Sequence, residues 1–315
     1  MSAPMLGGPM PWLIGGIIAL LLVASLAGWM LARRVTSEAG RDTVRNLNAR
    51  VRAWWVMVAI FAVAFIFGKA VTIVLFMAVS FYCLREFYSL TPTHPSDHPA
   101  MAAAFYIFLP LQYWLVWIDW VTMLTILIPV YAFLALPVLS MLKGVTDDYL
   151  QRVAKIQWGL MIAVFCISHA PALLMLDLGP VPPVQLLFFL ITIVQLSDVL
   201  QYVAGKLVGR TKLAPHVSPS KTVEGLVLGG LAATGVGAGL WWITPFSPLE
   251  AAGMAFAIVV AGALGGLVLS AVKRSLGAKD WGVMIQGHGG ALDRMDSVTF
   301  AAPLFFHLTN YFFAH

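Results

Sequence analysis

Residues 270–297 read SAVKRSLGAKDWGVMIQGHGGALDRMDS. This stretch holds Lys273, Arg274, Lys279 and Arg294 beside Asp280, Asp293 and Asp296, with His288 inside the glycine cluster Gly287, Gly289 and Gly290. Apolar runs long enough to cross a bilayer flank it, at 251–271 and 297–313. Ionisable groups beside lipid-soluble helices are costly, so such a cluster marks a functional site by default. The segment therefore reads as a polar loop between membrane spans, and this fixes the class of the fold.

The whole chain agrees. Of 315 residues, 60% are hydrophobic and only 10% charged, against about 25% charged in a soluble domain; mean hydropathy is +0.88. The expected fold is all-α: a polytopic integral membrane protein of about ten transmembrane helices, since each crossing needs about 20 apolar residues. The candidate spans are 12–32, 53–67, 70–84, 102–118, 121–142, 156–175, 182–203, 225–243, 251–271 and 297–313. The 53–84 pair, separated by Gly68-Lys69, reads either as two short spans or as a re-entrant hairpin. With the N-terminus outside, 18 of the 19 Lys and Arg residues fall on one face, leaving only Lys69 opposite. Lys and Arg bias loops to the cytoplasm, so both termini are expected on the non-cytoplasmic side.

No basic residue precedes the first apolar run, so that run is expected to be a retained helix and not a cleaved signal. Residues 1–100 read as N-terminal helices with a basic cytoplasmic loop at 33–52, suited to anionic lipid headgroups. Residues 101–315 read as the catalytic transmembrane unit. His94 and His98 lie in a proline-broken loop that no helix can order into a metal site. Cys83 and Cys166 sit in apolar runs and read as small buried hydrophobes.

A second polar stretch, 197–225, contains Asp198, Lys206, Arg210, Lys212, Ser218, Lys221, Thr222 and Glu224. Ser and Thr beside Lys at a helix start suit anion binding through free N–H groups and the helix dipole; a plain N-cap in a basic loop is the other reading. In the 270–297 loop, Asp293 and Asp296 share a face if helical. Two converging carboxylates call either for a cation, with Mg2+ usual near phosphates, or for neutralisation by Arg294 and Lys279. His288 reads as a phosphate donor or structural support in preference to a metal ligand. Together the loops suit transfer between phosphates, which needs charge neutralisation and in-line positioning. No Walker motif, kinase signature or GxSxG elbow is present. A membrane transporter is the rival, but transporter charges lie near mid-span, whereas only Asp198 here is well inside an apolar run.

The pattern Ser270-x-Val272-Lys273-Arg274-x4-Lys279-Asp280-x-Gly282-x2-Ile285-x2-His288-Gly289-Gly290-x2-Asp293-Arg294-Met295-Asp296 resembles the signature of the phosphatidate cytidylyltransferase (CDP-diacylglycerol synthase) family. The stretch from Gly209 to Gly225 resembles the same family's other polar segment, so the likeness covers roughly 190–300. It departs at Gln286, at Ala291 and after Asp198, where Val199-Leu200-Gln201-Tyr202 follows. The resemblance implies a bacterial inner-membrane enzyme with a cytoplasmic site, turning CTP and phosphatidate into CDP-diacylglycerol and pyrophosphate in phospholipid biosynthesis. Another lipid phosphate is the alternative acceptor. It implies that Asp280, Asp293, Asp296 and Asp198 hold Mg2+, with K+ as a conceivable second cation. Lys273, Arg274, Lys279 and Arg294 would neutralise the phosphates, with His288 in support, while Lys212, Ser218, Lys221, Thr222 and Ser270 bind substrate. Expected partners are CTP, phosphatidate and membrane lipids, not nucleic acid, and a homodimer is the assembly to test.

Overall fold

A computed structural model describes residues 10–34, 38–282 and 289–314. Ten long helical segments run through the described residues. They are α1 (Met10–Arg34), α2 (Glu38–Phe67), α3 (Lys69–Leu90), α4 (Pro95–Trp117), α5 (Val121–Met141), α6 (Tyr149–Met175), α7 (Val184–Val208), α8 (Val223–Gly239), α9 (Pro248–Ser275) and α10 (Leu292–Phe313). Seven of these, α1, α3 to α7 and α9, are long and apolar enough to cross a bilayer, while α8 and the Trp54–Ala64 part of α2 are shorter apolar helices. Among the described residues the fold is that of an all-α membrane protein with one small hairpin; helical structure starts at Pro95, where a proline-broken loop was expected, because proline is tolerated in a first helical turn. Val74, Tyr106, Leu134, Leu231, Phe256 and Leu304 stand exposed around it. A water-soluble protein does not tolerate so much outward apolar surface, but lipid tails cover it.

The 53–84 region forms two helices that meet at Gly68, whose φ of 89° turns the chain sharply. Such a backbone conformation is free of strain only for glycine. Helix α1 rests on α2, where Trp55 Nε1 donates to Ser25 Oγ at 3.0 Å. The core lies further along the chain, around the largely buried α6. Tyr88 of α3 donates to the Ile156 carbonyl of α6 at 2.9 Å, and Gln112 of α4 reaches both Leu124 O and Ser168 Oγ at 3.1 Å. Polar side chains inside a bilayer must find partners within the protein, and these bonds fix which helices neighbour which.

Contacts between helix ends show how the chain alternates. The start of α4 meets the start of α6 through the buried Asp97–Arg152 ion pair at 3.1 Å. The end of α3 reaches the start of α10 through Glu86. Arg274, on the last turn of α9, donates to Val217 O ahead of α8. The polar ends of α3, α4, α6, α8, α9 and α10 therefore gather at one end of the bundle, while Lys69 pairs with Asp119 where α3 starts and α4 has ended.

The 197–225 stretch is more ordered than a loop. Helix α7 continues to Val208, and then β1 (Lys212–Ala214) pairs antiparallel with β2 (Ser218–Thr222), with Lys212 opposite Thr222 and Ala214 opposite Ser218. The Glu224 carboxylate accepts the Arg210 and Thr211 N–H groups at 3.0 and 3.1 Å, closing the hairpin onto the first turn of α8.

Candidate active site

Three helices and the hairpin bring the site together. Asp198 lies on the second half of α7, Lys221 is the penultimate residue of β2 before α8, Gly266 lies on the second half of α9, and Asp296 and Ser297 lie early on α10. Gly266 measures their convergence. A Cβ added there would lie 2.8 Å from Lys221 Nζ and 3.7 Å from both Asp296 Oδ2 and Ser297 Oγ. Glycine leaves the room into which the ammonium group fits. Ser297 joins the two acids: its hydroxyl donates to Asp198 Oδ2 at 3.0 Å, and its backbone N–H donates to Asp296 Oδ1 at 2.7 Å. Asp198 and Asp296 repel each other, Lys221 attracts both, and Arg294 attracts Asp198. Asp198 lies at the surface of α7 but is closely surrounded by protein, and Lys221 and Asp296 are half-buried.

Next to this cluster is a second, more enclosed one. Lys273 of α9 pairs with Asp293 of α10 at 2.5 Å, each side chain about one-tenth exposed. The other Asp293 oxygen accepts the N–H groups of Trp281 and Gly290, both at 2.8 Å. Asp293 and Asp296 share the face that their spacing predicts, yet only Asp296 turns toward Asp198. Asp293 has both oxygens engaged by protein donors, so it organises the turn between α9 and α10. Gly289 has φ 80°, and a Cβ on it would meet Asp293 Oδ2 at 2.6 Å, so backbone conformation and close approach both demand glycine there.

The remaining predicted residues take separate places. Thr222 is buried and N-caps α8 by accepting the Gly225 N–H at 3.1 Å, which matches the capping reading of that stretch. Arg274 ties the hairpin to the chain after α9, donating to Val217 O at 3.3 Å and Ala278 O at 3.2 Å. Ser270 lies one turn beyond Gly266 and just under a turn before Lys273, on the same side of α9. Ser218 opens β2 and is half-buried, while Lys212, Lys279 and Asp280 are exposed. His288 lies outside the described residues. Among the described residues, no three His, Cys, Asp or Glu side chains form a ready-made metal cage. The geometry instead offers an acid pair, Asp198 and Asp296, with a lysine between.

Glu86 of α3 escapes sequence reasoning. It is 9% exposed, and its two oxygens accept the Ala291 and Leu292 N–H groups at 2.9 Å each. In sequence it is one acid beside Arg85 near the end of an apolar run, which reads as a helix terminus. The available signal is an acid near the end of an apolar run with a single basic neighbour, Arg85.

Comparison with known proteins settles the family. The profile described as the cytidylyltransferase family matches residues 48–312, which include both clusters. The chain belongs to this family. The protein is accordingly a nucleotidyltransferase, and the transporter reading falls away. Along nearly its full length, 94% of the chain and 96% of the relative, the chain is 34% identical to the uncharacterized protein YnbB of Escherichia coli (strain K12). It is 42% identical over 114 residues to a phosphatidate cytidylyltransferase of Synechocystis, covering 35% of this chain and 38% of that enzyme. With a phosphatidate cytidylyltransferase of Staphylococcus aureus (strain COL) it shares 40% identity over 114 residues, covering 36% and 44%. The similarity to these enzymes thus spans less than half of their length.

Proposed function

We propose that the protein transfers a cytidylyl group from CTP to phosphatidate, yielding CDP-diacylglycerol and pyrophosphate at the cytoplasmic face of a bacterial inner membrane. The observation that carries this reading is the meeting of Asp198, Lys221 and Asp296 at Gly266, because it joins the two charged segments of the sequence in one cluster. The cluster joins the two segments that carry Lys206, Arg210, Lys212, Lys273, Arg274 and Lys279, and such a concentration of basic residues favours the cytoplasmic side.

A phosphate oxygen of the lipid attacks the α-phosphorus of CTP. The new P–O bond forms as the bond to the β-phosphate oxygen breaks, and pyrophosphate leaves with that electron pair. The lipid supplies the nucleophile, so the protein must orient two anionic substrates and offset their charge. Lys221 is placed to meet a phosphate at the cluster, and Ser297 holds Asp198 in register with Asp296. Asp198 and Asp296 suit Mg2+, because a repelling acid pair gains from a cation and Mg2+ takes one or two carboxylates together with substrate phosphate oxygens. When bound, Mg2+ withdraws charge from the phosphates. In this assignment Asp293 shapes the site and does not ligate.

The test is purified protein in detergent with labelled CTP and Mg2+, offered phosphatidate or a polyprenyl phosphate and scored for the CDP-lipid and pyrophosphate. Phosphatidate-dependent pyrophosphate release supports the reading. Turnover of the polyprenyl phosphate alone would replace the acceptor while keeping the chemistry. Release of pyrophosphate with neither lipid would refute lipid transfer.

A further inference from the structure

Glu86 is a buried carboxylate that the reaction above does not use. A carboxylate among membrane helices is retained only where it is partnered, and its partners here are specific. They are the first-turn N–H groups of α10, which no intrahelical carbonyl can satisfy. The N-cap position of α10 is Ala291, which offers no capping side chain. The missing cap is supplied from another helix, 205 residues earlier in the chain.

The surroundings are cut to fit that carboxylate. A Cβ on Gly290 would lie 2.5 Å from Glu86 Oε1, and a Cβ on Gly282 would lie 2.7 Å from the same oxygen. Glycine at both places lets the two ends of the segment between α9 and α10 close on one side chain. The next residue, Phe87, stacks on Trp281 with ring centres 5.3 Å apart, and the Trp281 N–H donates to Asp293. Helix α3 therefore grips the chain leaving α9 and the chain entering α10, and α10 carries Asp293 and Asp296 in its first turns.

We infer that Glu86 is a positioning residue: a cap delivered from the distant helix α3 of the same chain that sets the register of α10, and through it the placement of Asp296 against Asp198 and Lys221. The kinetic side of this inference rests on the proposed cytidylyl transfer; the structural side does not. A glutamine at position 86 has one acceptor oxygen and turns an NH2 group toward a second N–H, so only half of the cap survives.

The experiment compares wild type, Glu86→Gln, Glu86→Ala and the exposed neighbour Arg85→Ala. Hydrogen exchange of peptides covering 289–296 is the first readout, and kcat and KM for CTP and lipid are the second. Glu86→Gln is expected to speed exchange of the Ala291 and Leu292 amides about tenfold, leaving α8 peptides unchanged. It is expected to lower kcat about tenfold with both KM values little altered, as a displacement of under an ångström at a reacting site does. Formate, entering the space left in Glu86→Ala, is expected to restore part of kcat, and Arg85→Ala is expected to match wild type. Unchanged exchange at 289–296 in Glu86→Gln would overturn the inference, as would a kcat loss accompanied by faster exchange throughout the bundle. If the Glu86 variants do not accumulate, Gly290→Ala pushes the same carboxylate aside from the other direction and must give the same local exchange. A wild-type protein inactive on every lipid phosphate would sink the proposed function, and the exchange readout would still decide this inference.

Discussion

Two neighbouring glycines on α9 separate the site from the scaffold. At Gly266 an added Cβ meets the tip of a flexible side chain, Lys221 Nζ, at 2.8 Å. The ammonium must retreat by about 0.6 Å to reach an ordinary contact distance of 3.4 Å. The fold loses little by this, and alanine in mid-helix is favoured over glycine by about 1 kcal/mol. The site loses more, because a misplacement of about 1 Å can cost about 100-fold in rate; 0.6 Å scales to about tenfold. At Gly265 the obstruction is the Asp296 carbonyl at 2.7 Å and Phe300 Cβ at 3.0 Å, which are backbone and side-chain root and cannot swing away. Overpacking of that kind costs about 1–3 kcal/mol. Gly266→Ala is therefore expected to unfold at or slightly above the wild-type temperature while its kcat falls about tenfold. Gly265→Ala is expected to unfold several degrees earlier. Thermal unfolding in detergent and steady-state pyrophosphate release measure the two quantities. Wild-type turnover by Gly266→Ala would show that Lys221 does not work from the position assigned to it.

Three further outcomes test other parts of the argument. Lys273→Met leaves Asp293 buried without its cation, and breaking such a pair costs about 3–5 kcal/mol, so unfolding should shift clearly downward; an unchanged midpoint would show that the 2.5 Å pair is dispensable. Gly229→Ala places a Cβ 2.5 Å from Gln201 Cα where α8 crosses α7, and should destabilise by about 1–3 kcal/mol with normal activity in the surviving fraction. Chelation with EDTA should abolish turnover and added Mg2+ should restore it. Asp296→Asn should raise the Mg2+ concentration needed, whereas Asp293→Asn should leave that requirement alone and lower stability; the reverse pattern would exchange the two roles.

What the sequence revealed and what it hid have one physical cause. Helices in a bilayer announce themselves by composition, because lipid selects every outward residue, and each expected span falls within or close to one of the helices observed. Helix ends were harder. Helix α9 runs on to Ser275 and α10 begins at Leu292, so Lys273 and Asp293 face each other as helical residues inside what looked like a loop. The charges at 270–297 were visible as chemistry, but their division of labour was not. One acid paired with a lysine and two N–H groups, and another aimed at Asp198, have the same letters and differ only in what stands opposite.

The glycines carry the information that the charges withhold. Gly282 and Gly290 make no sense as turn residues alone, since neither has positive φ among the described residues. They make sense once a carboxylate from α3 must fit between them, and Gly266 makes sense once a lysine must reach the acid pair. At these three positions the glycine records where a side chain from elsewhere in the chain enters. Gly282 and Gly290 mark a side chain arriving from outside the segment, and Glu86, an acid within an apolar helix, is that side chain. Glu86→Gln with exchange measured at 289–296 therefore tests whether this carboxylate holds the start of α10 in place.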